Sequence, residues 1–193
     1  MHCTPRQMLD VLSYYKFAAK MIGQKKRVLD IGCGEGFGSW VLAKECGFCT
    51  GLDMDQEAIK VAQKNFNAPF IDFTCANFFN LQAGLWDAIV NFYVLEHIEK
   101  IQAKTFIKKI IDHLTPEGVA VIGTHSLISE QFLSPAPVQR SINLYSHERL
   151  YEELSCFFDH VFLFAANEEV IQTGFSPLAH FYVALCCKPK KTI

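Results

Sequence analysis

The chain has 193 residues, 50% hydrophobic and 20% charged, enough for one well-filled core and too little for two ordinary domains. Its net charge of -2, with lysines scattered rather than clustered, offers no basic field for phosphate backbones or acidic lipid surfaces. No apolar run approaches the roughly 20 residues of a membrane span, and the opening "MHCTPRQMLD" lacks the charged-then-apolar order of an export signal, so a cytoplasmic protein is expected.

In chain order, residues 5–22 read as a helix and "RVLDI" (27–31) as a first short strand. Four glycines follow within seven positions, Gly32, Gly34, Gly36 and Gly38, and lead into the helical pattern "FGSWVLAKEC" (37–46). "FCTGLDM" (48–54) is a strand, "DQEAIKVAQKNF" (55–66) a helix, and "PFIDFTCA" (69–76) and "WDAIVNF" (86–92) are strands. From Glu96 to Leu114, Ile98, Ile101, Phe106, Ile110 and Leu114 recur at helical spacing, opposite a solvated row of Lys100, Lys104 and Lys108. After a turn at Pro116 to Gly118, "GVAVIGT" (118–124) is a strand and "SHERLYEELS" (146–155) a helix. "FFDHVFLFA" (157–165) and "LAHFYVALCC" (178–187) close the sheet.

The eight cysteines fall mainly inside apolar runs, where a free thiol acts as a small hydrophobe. Cys46 and Cys49 have C-x-x-C spacing, but they follow a helix instead of opening one, and no second pair completes a zinc site. They read as core filler, and no metal site is expected.

Strands alternating with helices imply a doubly wound parallel sheet, with ligands bound beyond the carboxyl ends of the strands. The glycine stretch lies at that place. A dinucleotide loop needs G-x-G-x-x-G, and frames starting at Gly32, Gly34 and Gly36 end on Phe37, Ser39 and Val41. No glycine precedes a lysine as in a P-loop. The remaining pattern is D-x-G-x-G-x-G, Asp30 to Gly36, with a second acid, Asp53, closing the next strand.

This combination resembles the class I S-adenosylmethionine-dependent methyltransferases. The resemblance implies a single α/β domain over residues 1–193, a Rossmann-like, seven-stranded, mostly parallel sheet with an antiparallel last strand. Residues 1–24 would be an N-terminal helix acting as cofactor lid, and 25–193 the core. S-adenosyl-L-methionine would be the cofactor and S-adenosyl-L-homocysteine the product. Asp30 would organise the loop and meet the cofactor's amino group, Gly32, Gly34 and Gly36 would allow close backbone approach, Asp53 would hold the ribose and Met54 would lie against adenine. Ala76, Asn77 and Phe78 would border the adenine, with Asn77 where the family usually has an acid; an amide oxygen still accepts from the adenine amino group. Asn91 and Phe92 would line the cofactor tail, and Lys16 would meet its carboxylate.

In "NFYVLEHIEK" the same resemblance sets Glu96 and His97 beside the transferred methyl group. A base is needed only where the nucleophile must lose a proton. For a hydroxyl acceptor His97 is the preferred base, oriented by Glu96, and His125 at a strand end is the second candidate; His147 and His180 read as structural. The unpatterned stretch 124–145 offers Phe132, Leu133, Arg140 and Asn143 as acceptor-lining residues. The expected partner is a small hydroxylated molecule, a sugar of a surface-polysaccharide precursor or a quinone-like ring, and not a nucleic acid or a membrane. A cofactor-binding protein without methyl transfer and a nicotinamide oxidoreductase are the alternatives.

Overall fold

A computed structural model describes residues 5–131, 142–173 and 177–191. Helix α1 (Pro5–Ile22) precedes strand β1 (Lys26–Ile31), followed by α2 (Phe37–Cys46), β2 (Gly47–Asp53), α3 (Gln56–Asn65), β3 (Ile71–Cys75) and β4 (Trp86–Phe92). Then come α4 (Lys100–Asp112), β5 (Leu114–His125), α5 (His147–Ser155), β6 (Phe158–Asn167), β7 (Val170–Thr173) and β8 (Phe181–Pro189). Local chemistry starts the helices: the Asp55 carboxylate accepts from the amides of Glu57 and Ala58 at the head of α3, and Ser146 accepts from Arg149 at the head of α5.

The strands form one sheet in the order β3-β2-β1-β4-β5-β8-β6-β7. Strands β1 to β5 run parallel, whereas β8 is antiparallel to both β5 and β6, and β7 folds back on β6 as a hairpin. Because the parallel strands share one direction, Ile31, Asp53, Cys75, Phe92 and His125 all end at the same edge. Chain order reverses there between β1 and β4, the position where doubly wound sheets bind ligands.

One face of the sheet is covered by α4 and α5 through Phe106, Ile110, Leu150 and Leu154, and the other by α1, α2 and α3 through Tyr15, Ala18, Leu42 and Ile59. Both layers are needed because β1, β4 and β8 are apolar on both sides. Among the described residues no helix is long and apolar enough to cross a membrane.

Three expectations need correction. The sheet has eight strands, not seven: β7, a short strand with an exposed surface, extends it beyond β6. Helix α4 begins at Lys100, after a separate turn at Leu95–His97, so Ile101 lies in its first turn and is 85% exposed instead of facing the core. The residues read as a turn at Pro116 to Gly118 lie within β5, where its register against β4 jumps between Trp86 and Ala88.

Candidate functional site

The glycine loop leaves β1 and is stitched at once to the end of β2. The amides of Gly32 and Cys33 donate to the Leu52 carbonyl at 2.7 and 3.1 Å, and the Gly34 amide donates to Asp53 Oδ2 at 2.8 Å. The other Asp53 oxygen accepts from the Asp55 amide at 2.9 Å. Gly34 has a φ of +52°, and a Cβ built there meets nothing within 4 Å. The left-handed backbone thus borders open space at the tip of the loop, a cradle that a side chain would fill. Met54, next along from Asp53, is 69% exposed. The Ala76 amide donates to the Asp53 carbonyl at 2.9 Å, drawing the end of β3 alongside, and Asn77 turns its side chain onto the Phe79 amide. Gly32, Gly34, Asp53, Met54, Ala76 and Asn77 are therefore gathered at one edge. Gly36 is one step deeper, at the head of α2, facing Phe73 and Ala62.

Asp30 is placed differently from its expected role. It is fully buried, and its two oxygens accept from Ser39 Oγ at 2.6 Å and from the Tyr15 hydroxyl at 3.0 Å. It braces the loop from behind and presents no oxygen to a ligand's amino group. Tyr15, on α1, approaches so closely that a Cβ on Gly38 would lie 2.2 Å from its ring. The glycine at 38 is thus required by a neighbouring side chain and not by a ligand.

Burial raises the Asp30 carboxyl to about 7, against the hydrogen bonds from Ser39 and Tyr15 and with the Asp53 charge adding to it. Between the ordinary value of 3.8 and about 7 the folded state holds more protons than the unfolded state. Its contribution to stability therefore falls as pH rises through that window. Thermal melts of the wild type and Asp30→Asn, run from about pH 8 down to about pH 5, check this: the wild type is expected to gain on the variant as pH drops. Parallel curves would remove Asp30 as the source.

Three further side chains lie elsewhere than expected. Lys16 reaches the Glu45 carboxylate on α2, which Lys20 also contacts, and not the glycine loop. Phe78 is core, 4% exposed, with its ring edge-on to Phe106 at 5.4 Å. Phe92 is 2% exposed and packs edge-on against Tyr15 at 5.0 Å, so it supports the site from beneath and does not line it. Asn91 is fully buried beside the loop; its side-chain amide donates to the Ile31 carbonyl at 3.3 Å, while its Oδ1 has no partner among the described residues. Cys46 and Cys49 are buried free thiols, pushed up by burial, Cys46 to about 11, which leaves them protonated and inert.

At the ends of β4 and β5 the expected pairing of Glu96 with His97 is replaced by one with His125. Glu96 is fully buried, and its carboxylate oxygens lie 2.8 Å from His125 Nδ1 and 3.1 Å from Thr124 Oγ1, which donates to it. A carboxylate at Nδ1 selects the tautomer with the proton on that nitrogen and leaves Nε2 as the proton acceptor. His97 is half-buried on the turn before α4.

The His125 ring is walled by Tyr93, at 5.2 Å between centroids, and by Phe181, at 5.4 Å. Tyr93 holds a left-handed φ of +60°, a conformation that costs a non-glycine residue roughly 1–3 kcal/mol and often marks functional sites. Neither wall residue was singled out from sequence. Phe181 reaches His125 only through the antiparallel register of β8, and Tyr93, though adjacent to Phe92, carries no motif. Behind them Tyr14 stacks on Phe181 at 5.0 Å and donates to the Glu168 carbonyl in the β6–β7 turn. Phe132, Leu133 and Arg140 lie outside the described residues, and Asn143 is fully buried and not a lining residue. His147 packs edge-on against Tyr182.

Comparison with known proteins adds to this geometry. A family model described as a methyltransferase domain matches residues 28–118. The ubiquinone biosynthesis O-methyltransferase of Rickettsia canadensis is 27% identical over 126 residues, 64% of this chain and 50% of that protein. The chain spans about half the length of the first curated relatives it matches. Among solved structures, the N-methyltransferase NodS from Bradyrhizobium japonicum in complex with S-adenosyl-L-homocysteine superposes with a TM-score of 0.71 at 20% identity, covering 98% of this chain and 90% of that one. An S-adenosylmethionine-dependent methyltransferase from Clostridium acetobutylicum gives 0.74 at 14% identity, covering 92% of each chain. At such identities these likenesses establish the fold.

Proposed function

We propose that the chain is a class I S-adenosylmethionine-dependent methyltransferase and that it methylates a hydroxyl group of a small acceptor with S-adenosylmethionine as donor. When bound, that cofactor supplies a methyl group on a positively charged sulfur, open to direct displacement by a nucleophile. The observation that carries the choice of a hydroxyl is the contact between Glu96 and His125 Nδ1 at 2.8 Å. A hydroxyl becomes a competent nucleophile by giving up its proton, for which a positioned imidazole is suited.

The residues gathered at the glycine loop fit the cofactor. The open cradle over Gly34 admits close backbone approach. Each Asp53 oxygen accepts one amide within the protein and keeps a second lone-pair direction for a ribose hydroxyl. Exposed Met54 offers a polarizable apolar contact for the adenine face, with Ala76 and Asn77 at its rim. Asn91 Oδ1, buried without a partner among the described residues, suits a positively charged amino group.

In this proposal His125 Nε2 removes the acceptor proton, and buried Glu96 holds the ring in its tautomer and stabilises the imidazolium that forms. Half-buried Tyr93 flanks the base and offers an aromatic face to a flat hydroxylated ring, while buried Phe181 backs the imidazole from the core. The name of the relatives, ubiquinone biosynthesis O-methyltransferase, supports the same choice. Release of S-adenosylhomocysteine, measured in parallel with catechol and with methyl α-glucoside, tests it. Turnover with catechol is expected; turnover with the glucoside alone would reassign the acceptor, and turnover with neither, nor with simple amines, would leave a cofactor-binding protein.

A further inference from the structure

We infer that Tyr145 is a positioning residue for the Glu96–His125 pair, acting through the chain segment that returns to the site ahead of α5; its bearing on turnover rests on the methyl-transfer reading above. Residues 142–145 are hydrogen-bonded to the backbone of both members of the pair. The amides of Ile142 and Asn143 donate to the Glu96 carbonyl at 2.9 and 3.0 Å, and the Tyr145 amide donates to the His125 carbonyl at 3.3 Å. The Leu127 amide returns a bond to the Tyr145 carbonyl at 2.9 Å. Glu96 sits on an isolated three-residue turn, outside any helix or strand ladder, so this segment supplies much of what fixes its height relative to β5.

The segment is itself clamped from α5. Asn143 and Tyr145 are fully buried; Asn143 Nδ2 donates to the Tyr145 hydroxyl at 3.1 Å, which donates to Glu153 Oε2 at 3.0 Å. Arg149 completes the clamp, donating from Nε to the other Glu153 oxygen at 2.9 Å and from its guanidinium to the Leu144 carbonyl at 3.1 Å, while lying over the Tyr145 ring at 4.1 Å. Burial and the Glu153 charge push the Tyr145 hydroxyl well up, which keeps it a donor at all physiological pH. The phenol links Asn143 in the segment holding the dyad to the carboxylate of this α5 ion pair, beside the backbone contact that Arg149 makes at Leu144. Without it buried Asn143 and half-buried Glu153 each lose a partner.

Tyr145→Phe keeps the ring, the stacked guanidinium and every backbone bond, and removes only that link. Nitrogen-15 NMR of the histidines gives a readout that needs no acceptor: His125 is expected to be held as the Nδ1–H tautomer in the wild type and to become a mixture of tautomers in the variant. Should Tyr145→Phe fail to fold, Glu153→Ala, on a partly exposed position of α5, is expected to give the same mixture, and Glu153→Gln, which retains an oxygen for the phenol, is expected to restore the single tautomer. With catechol as acceptor, kcat of Tyr145→Phe is expected to drop about tenfold with KM and cofactor affinity unchanged. Unaltered His125 signals in both Tyr145→Phe and Glu153→Ala would overturn the inference. Altered signals in a protein that transfers no methyl group would uphold it and sink the methyl-transfer reading alone.

Discussion

Replacing His125 with Asn is expected to lower methyl transfer to catechol by about 10²- to 10⁴-fold, the usual worth of a general base, while cofactor affinity stays as in the wild type. Asparagine suits the test because its amide donates to Glu96 from nearly the position of the imidazole Nδ1–H, so the buried carboxylate keeps a partner and the fold is spared an unpaired charge. What is lost is the basic nitrogen at Nε2. Measured at saturating S-adenosylmethionine, the loss should fall on kcat, since an interaction made only as the proton leaves does not contribute to ground-state binding. His97→Ala, by contrast, is expected to turn over close to the wild type, because among the described residues no carboxylate is hydrogen-bonded to that ring. A silent His125→Asn with a crippled His97→Ala would return the role of base to His97.

The second large effect is expected on the cofactor side. Asp53→Ala should weaken S-adenosylmethionine binding by about 100-fold or more, since hydrogen bonds to a charged group are worth roughly 1.5–3 kcal/mol each. The substitution acts twice. It removes the proposed acceptor for the ribose hydroxyls, and it frees the Gly34 and Asp55 amides, so the loop tip loses the anchor that holds it over the end of β2. Calorimetric titration checks this, and an unchanged affinity would remove the cofactor from this loop altogether.

The strands β1 to β5 and the helices between them were legible because each is short, apolar in the right period and bounded by polar or glycine residues, as at Asp30–Gly36 and Asp53–Asp55. The place of the glycine loop and of Asp53 could be read for the same reason, since local sequence and strand ends determine both. Strand β7 could not: four residues with an exposed surface, directly after Glu168 and Glu169, carry no hydrophobic pattern. The partner of Glu96 was equally hidden. Adjacency in "LEH" suggested His97, but a tight turn carries neighbouring side chains in different directions, and Glu96 meets His125 only because β4 and β5 lie side by side. Asp30 shows the same lesson in reverse. Its place in the motif was readable, whereas its burial under Tyr15 depends on α1 folding back across α2.

The eighth strand also bears on how copies of this molecule behave when crowded together. A sheet that does not close has two free rims, each a row of backbone groups ready to pair with another chain. Here the rims are β3, five residues long with Asp72, Thr74 and Cys75 turned to solvent, and β7, only four residues long. Had the sheet stopped at β6, its rim would have been a ten-residue strand carrying Phe162, which is 53% exposed. The β7 hairpin pairs with Phe164–Asn167 only, so it covers that end of the border and leaves the stretch with Phe162 as the edge where self-association at high concentration would begin.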